Sequence, residues 1–186
     1  MSPDTLKSIV TVNTPGSPLR RMLAYKLLLA IAAAVVALDQ ASKAWILWRL
    51  PYPTYGEPGA MVIIPSFFHL VDVGNTGAAW SLFSGRSAIL AAGAAVTLLA
   101  IFLWRRALGL RARLVQVSFG LLCGGIVGNL VDRLWHGHVI DFLDFHFGSY
   151  TFPTFNVADS GISVGVAIYL WHSLRAPEAP EARSGK

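Results

Sequence analysis

Two stretches of this chain, Ser87–Trp104 and Leu114–Val131, contain no charged residue. Each is close to the roughly 20 apolar residues that a helix needs to cross a lipid bilayer. A third apolar stretch, Leu27–Trp48, has polar residues towards its end, and a fourth, Ser160–Leu174, reaches the required length if Asn156–Asp159 forms its first turn. The sequence therefore predicts an α-helical integral membrane protein with four transmembrane helices. For the fourth stretch, a buried helix of a soluble protein is the alternative.

The amounts and positions of charged residues support a membrane protein and predict its orientation. Of the 186 residues, 54% are hydrophobic and 13% are charged, whereas a soluble domain is about 25% charged. The basic residues concentrate at three places: before the first stretch, between the second and third, and after the fourth. Because cytoplasmic loops are enriched in Lys and Arg, both termini are predicted to be cytoplasmic. The predicted divisions are a flexible tail over 1–21, a membrane domain over 22–174 and a second tail over 175–186.

The two predicted outer loops differ in character. In the first, Arg49–Gly85, the segments Met61–Ile64 and Phe67–Val73 are rich in β-branched and aromatic residues, which favours two short strands. A small extracytoplasmic sheet with an open edge could add a substrate peptide as a further strand. In the second loop, Trp135–Phe155, two aspartates alternate with apolar residues. This pattern predicts an amphipathic segment in the membrane interface.

Polar residues gather at the outer ends of the first and third stretches. Asp39 and Lys43 are four residues apart, so they face the same side of a helix and can form an ion pair. Gly125, Asn129 and Asp132 follow one another on a single stripe of the third helix. Ionisable groups at membrane depth are costly and mark functional sites by default. A purely structural role for either group is the alternative.

Two further patterns have simple structural explanations. Gly120, Gly124 and Gly128 are spaced by four residues, which lets a neighbouring helix approach closely. Asn156 is suited to cap the fourth helix, and Asp159 in the first turn is favoured by the helix dipole. Capping does not explain why Asp159 lies at the same membrane depth as the polar ends of the first and third helices.

Several function classes are disfavoured. A single cysteine, Cys123, excludes an intrachain disulfide. The five histidines show no ligand spacing, so we expect no metal and no cofactor. No basic face is interleaved with aromatic residues, so nucleic acid is not an expected partner. An ion-coupled transporter and a non-enzymatic membrane scaffold remain as rival hypotheses, although a transporter would have charges near the bilayer midplane and paired, similar halves.

Five sequence blocks in a fixed order indicate a family. The blocks are Asp39-Gln-Ala-Ser-Lys43, Asn75-Thr-Gly-Ala-Ala79, Gly124-Gly-Ile-Val-Gly-Asn-Leu-Val-Asp-Arg133, Val139-Ile-Asp-Phe142 and Phe155-Asn-Val-Ala-Asp159. Together they closely resemble the lipoprotein signal peptidases (signal peptidase II) of bacteria, and the resemblance runs from about Leu23 to His172. Trp80 stands where the family usually has Phe, and the N-terminal tail is longer than the family needs.

The resemblance implies an intramembrane aspartyl peptidase whose catalytic pair is Asp141 and Asp159. Its implied partners are membrane lipids and a prolipoprotein substrate whose lipobox cysteine carries diacylglycerol, and cleavage occurs just before that cysteine. We expect a monomer in the bacterial cytoplasmic (inner) membrane, with the active site at the outer leaflet. Asp132 is the rival catalytic carboxylate. If Asp141 is the catalytic residue, we expect Asp132 to be a structural partner of Arg133. The residues expected to bind substrate or support the dyad are Asp39, Lys43, Asn75, Gly77, Ala79, Gly125, Asn129, Asp132, Arg133, Asn156 and Ala158.

Overall fold

The computed structural model describes residues 24–54, 59–78 and 82–175. In chain order its elements are α1 (Lys26–Arg49), β1 (Met61–Ile64), β2 (Phe68–Asn75), α2 (Ser87–Leu103), α3 (Arg113–Trp135), β3 (Val139–Phe147), β4 (Tyr150–Thr151) and α4 (Val157–Arg175). The four helices and the strands of the first outer loop are present as predicted. The predicted tails lie outside the described residues, apart from Arg175 at the end of α4.

The helices expose apolar side chains and bury polar ones. α1 and α3 are long and apolar enough to cross a membrane, and α2 is a shorter apolar helix of 17 residues. Leu38 on α1 is 64% exposed, whereas Asp39 beside it is fully buried. This distribution suits a helix bundle that faces lipid, because apolar side chains on its surface need no water. How many of the four helices cross the bilayer stays a prediction.

α3 packs against both α1 and α4 through glycines. A Cβ atom on Gly124 would lie 2.8 Å from the carbonyl oxygen of Ala32 on α1. A Cβ atom on Gly125 would collide with the carbonyl oxygen of Ala158 on α4. The predicted close approach along the glycine stripe is therefore confirmed, and the neighbouring glycine brings in the second helix. This packing sets the polar ends of the three helices side by side.

The four strands form one antiparallel sheet in the order β1-β2-β3-β4. Across β2 and β3, His69 lies opposite Asp144 and Val73 lies opposite Asp141, with a register irregularity between Leu70 and Val73. The second outer loop thus contributes strand β3 to the sheet, and the position of this segment in the membrane interface stays a prediction. Its alternating pattern is satisfied by the two faces of a paired strand.

Candidate active site

Asp141 projects from β3 and is held by two asparagine amides. Its side chain is buried, at 2% exposure. The Nδ2 of Asn75 on β2 donates to Oδ2 of Asp141 over 2.9 Å, and the Nδ2 of Asn156 donates to Oδ1 over 2.8 Å. Both carboxylate oxygens therefore have a fixed direction. Strand pairing turns this side chain inward, so Asp141 does not belong to a polar surface that faces water.

Asp159 lies in the first turn of α4 and forms a reciprocal cap with Asn156. The Oδ1 of Asn156 accepts from the backbone N–H of Asp159 over 2.9 Å, and Oδ2 of Asp159 accepts from the backbone N–H of Asn156 over 3.3 Å. The other oxygen, Oδ1 of Asp159, accepts from Nδ2 of Asn129 over 2.7 Å. Asn156 thus caps the helix and also contacts Asp141, so one residue orients both carboxyl groups.

Burial and a neighbouring charge change the acidity of Asp141. Burial raises the pKa of Asp141 to about 7, and the nearby charge of Asp159 acts in the same direction. Hydrogen bonds from Asn75 and Asn156, and the charge of Lys43, act to lower it. Two carboxyl groups whose charges repel each other do not readily ionise together. Such a pair can therefore offer one protonated and one ionised carboxyl group at the same time.

Both carboxyl groups open onto a cavity of about 1070 Å³ between the sheet and the helices. Its polar wall carries Asp141, Asp159, Asn129 and Arg133, and its other residues come from β2, from α2–α4 and from the segment after β4. A cavity of this size, partly apolar and with a few convergent polar groups, is typical of a ligand site.

A second group of charges lies buried among α1 and α3. The Nζ of Lys43 contacts Oδ2 of Asp39 at 2.8 Å and Oδ2 of Asp132 at 2.7 Å. Gln40 donates to Oδ1 of Asp132 over 2.9 Å, and the N–H of Ile140 donates to Oδ2 over 3.1 Å. Neither Asp39 nor Asp132 lines the cavity. We call Asp39, Gln40, Lys43 and Asp132 the buried charge cluster.

Arg133 connects the third helix to the first outer loop. Its Nη2 donates to the carbonyl oxygen of Gly77 over 2.9 Å, and the Gly77 N–H donates to Oδ1 of Asn75 over 2.8 Å. The expected partnership of Asp132 with Arg133 is wrong, because Lys43 and Gln40 already occupy that carboxylate. Arg133 instead binds the backbone of Gly77, in the loop that follows β2. Two other predicted positions, Ala79 and Trp80, lie outside the described residues.

Comparisons with known proteins identify the family of this chain. A family model described as signal peptidase (SPase) II matches residues 31–175. The chain belongs to the signal peptidase II family. A lipoprotein signal peptidase of Burkholderia cenocepacia (strain HI2424) is 44% identical over 152 residues, which are 79% of this chain and 87% of that protein. One from Azoarcus sp. (strain BH72) is 42% identical over 158 residues, or 83% and 86% of the two chains.

A solved structure supports the same assignment. A bacterial membrane enzyme, determined by the in meso method at 2.3 Å resolution, superposes with a TM-score of 0.73 at 29% identity. The match covers 86% of this chain and 94% of that one. As a member of the signal peptidase II family, the chain is a membrane-bound bacterial protease that removes signal peptides from prolipoproteins.

Two further predicted residues of this family member, Ala158 and Gly125, pack near Asp159 without lining the cavity. Ala158 is fully buried, and its N–H donates to Oδ1 of Asp39 over 2.9 Å. Gly125 lies against Ala158 and Ile162, so it positions the start of α4 and does not line the cavity. Through Ala158, α4 is attached to the buried charge cluster immediately before Asp159.

Sequence reasoning missed two contributions to the site. Gln40 was not selected, yet its amide also donates to Asp39 and to the carbonyl oxygen of Gly128. Its position next to an aspartate in a membrane helix was an available signal. The cavity wall from α2 and from the chain after β4, including Thr97 and Phe152, was also missed. These residues carry no pattern of their own, because only the folded chain brings them to the site.

Proposed function

We propose that this chain is an intramembrane aspartyl endopeptidase that cleaves diacylglyceryl-modified prolipoproteins just before the lipidated lipobox cysteine. Asp141 and Asp159 are its catalytic pair. One observation carries the proposal: Asn156 binds Asp141 and caps the helix at Asp159, and both carboxyl groups line the same cavity. Family membership gives the substrate class, and the dyad gives the chemistry.

Asp132, the rival catalytic residue, is disfavoured by its contacts. It is 1% exposed, it contacts Lys43 and Gln40, and it accepts a backbone hydrogen bond. A carboxylate that is so fully engaged has little capacity to take a proton from water or to donate one to a substrate. Asp141 and Asp159 accept hydrogen bonds from neutral amides, which orient them while leaving them able to exchange protons.

The proposed reaction begins with the dyad holding one proton. The ionised carboxylate accepts a proton from a water molecule, whose oxygen attacks the scissile carbonyl carbon. The protonated carboxyl donates to the carbonyl oxygen and gives a tetrahedral intermediate. Collapse breaks the C–N bond as the nitrogen gains a proton, which releases a signal-peptide carboxylate and a new amino group on the lipidated cysteine. Because the pair titrates as a unit, neither residue has a permanent role.

The substrate's lipid supplies the position of the cut. The dyad lies where β3 meets the start of α4, which in the predicted orientation is the outer-leaflet level. Two acyl chains hold a substrate in the bilayer, because each buried methylene contributes roughly 0.8 kcal/mol. Anchoring fixes the height of the scissile bond relative to Asp141 and Asp159, which raises the effective concentration of that bond. Arg133 lines the cavity that would hold the peptide, and it binds the carbonyl oxygen of Gly77.

The experiment is cleavage of a synthetic lipobox peptide that carries diacylglycerol, using purified full-length enzyme in detergent. Asp141→Asn and Asp159→Asn should each lower the rate by at least about 10³-fold, since an amide cannot serve as acid or base. Asp72→Asn is the matched control: it is a buried aspartate of the same sheet that does not line the cavity, and it should retain activity.

Two outcomes would contradict the proposal. Substantial turnover by Asp141→Asn would move the catalytic role to another carboxyl group. Efficient cleavage of the unlipidated peptide in the same detergent would show that the lipid is not recognised.

A further inference from the structure

The sheet brings two histidines and an aspartate together on one face. Asp144 and His146 are two residues apart on β3, so their side chains lie on the same side of the strand. His69 on β2 is the direct partner of Asp144 across the strand pair. The ligand atoms of these three residues all lie within 4.8 Å of one another. Sequence spacing gave no sign of this group, because His69 and His146 are far apart in the chain.

We propose that His69, Asp144 and His146 form a binding site for a divalent transition-metal ion, with Zn²⁺ as the probe. Two imidazole nitrogens and one carboxylate oxygen are ligands that suit zinc. Around a tetrahedral zinc ion at about 2.0–2.1 Å, ligand atoms lie roughly 3.4 Å apart. The present separations, all within 4.8 Å, are close to that distance.

Two features of the histidines favour a metal site over a simple hydrogen bond between His146 and Asp144. The Nδ1 of His146 lies 3.2 Å from Oγ1 of Thr151, which leaves its Nε2 directed at Oδ2 of Asp144, 2.7 Å away. A hydrogen bond to the second ring nitrogen is the usual support of a metal-binding histidine. The hydrogen bond between His146 and Asp144 does not include His69. The Nδ1 of His69 is shielded from solvent and has no hydrogen-bond partner among the described residues. A metal ion gives that ring a partner.

The site is separate from the dyad. Asp141 and Asp144 are three residues apart on β3, so they point to opposite faces of the sheet. None of the three proposed ligands lines the cavity that contains Asp141. A bound ion would therefore tie β2 to β3, the strands that carry Asn75 and Asp141, without contacting the substrate. Its effect is on the stability of the sheet, and the hydrolytic chemistry does not require it.

The test is zinc binding by the full-length protein, purified in detergent with a histidine-free tag and stripped with a chelator. Calorimetric titration should show one equivalent of Zn²⁺, and saturating zinc should raise Tm by roughly 2–5 °C. His69→Asn and His146→Asn should each weaken zinc binding at least about tenfold. His138→Asn, a histidine of the same outer region outside the group, should bind as the wild type does.

Cobalt provides a second measurement that does not depend on stability. Co²⁺ bound by two histidines and a carboxylate should give visible absorption bands in the wild type that are absent in His69→Asn. The proposal is overturned if the stripped wild type takes up no zinc, or if His69→Asn and His146→Asn bind it with unchanged affinity. Peptide cleavage by the stripped enzyme is read out separately, so the two proposals can fail independently.

Discussion

The buried charge cluster and the proposed catalytic dyad, Asp141 and Asp159, contain the same kind of carboxyl group in opposite surroundings. In the cluster, Asp39 and Asp132 share the ammonium group of Lys43, and backbone N–H groups occupy further lone pairs. In the dyad, Asp141 and Asp159 accept hydrogen bonds from neutral amides and face a cavity. Burial alone therefore does not identify a catalytic aspartate. What distinguishes the two groups is whether a cation contacts the carboxylate directly and whether the carboxylate lines a cavity.

Removing the cation of the cluster should have the largest effect on stability. Lys43→Met leaves Asp39 and Asp132 buried without a partner charge, which should destabilise the fold by about 3–5 kcal/mol. Lys26→Met makes the same chemical change at an exposed position of α1 and should change stability by less than about 0.5 kcal/mol. Denaturant unfolding in detergent measures both. Equal stability of the two variants would show that the cluster does not hold the helices together.

The contact between α3 and α4 should matter next, because it connects the cluster to the dyad. Gly125→Ala places a methyl group against the carbonyl oxygen of Ala158, the residue before Asp159. Displacement of α4 should cost about 1–3 kcal/mol and lower the cleavage rate by up to about 100-fold. Gly93→Ala, with no atom within 4 Å of the new Cβ, is the matched control. Wild-type cleavage by Gly125→Ala would show that the helix contact does not set the dyad geometry.

Removing the asparagine amide that binds Asp141 should have a smaller effect on activity, and the direction of the accompanying pKa change can be predicted. The hydrogen bond from Asn75 lowers the pKa of Asp141 against the effect of burial, so Asn75→Ala should raise that pKa further above about 7. The dyad must keep one proton, so activity should fall as pH rises through this range, and the variant's alkaline limb should move to higher pH. We expect a rate about tenfold lower at neutral pH.

A pH–rate profile of kcat/KM measures this shift. Thr97→Ala changes another residue of the cavity wall, whose hydroxyl donates to the carbonyl oxygen of Gly93 in its own helix. This control should keep the wild-type profile. An alkaline limb that moves to lower pH in Asn75→Ala would contradict the assigned role of the asparagine.

Asp72 lies in a third kind of surrounding, because neither a cation nor an amide contacts its carboxyl group among the described residues. Its replacement should have the smallest effect on stability. It is 1% exposed, and among the described residues neither of its oxygens has a hydrogen-bond partner. Burial raises the pKa of Asp72, although the charges of His138 and His136 act to lower it. A raised pKa gives stability at low pH that is lost as pH rises. The free energy of unfolding of Asp72→Asn should therefore increase relative to that of the wild type as pH rises, by about 1 kcal/mol or less.

Thermal melts of both proteins at about pH 4, close to the usual pKa of an aspartate, and at about pH 8 measure this difference, because the two proteins differ in titratable groups only at position 72. The variant's advantage should be larger at the higher pH. An advantage that shrinks as pH rises would mean that the carboxylate of Asp72 is stabilised in its charged form.

The sequence predicted individual residues better than their contacts. The spacing of Asp39 and Lys43 indicated an ion pair, and the structure forms it at 2.8 Å. Adjacency in the chain assigns Asp132 to Arg133, and that prediction is wrong. Adjacent residues on a helix point about 100° apart, so chain proximity does not decide which charges meet. Asp132 instead meets a lysine from another helix.

Local patterns by themselves determined the four helices, the strands of the first loop, the glycine stripe and the cap at the start of α4. Those features depend on residues close together in the chain, where helical and strand periodicities operate. Only the tertiary structure decided that β3 pairs with β2, that Asn156 contacts both carboxyl groups, and that His69 meets His146. Each of those contacts joins separate elements, and their geometry depends on strand register and helix packing, which no local pattern specifies.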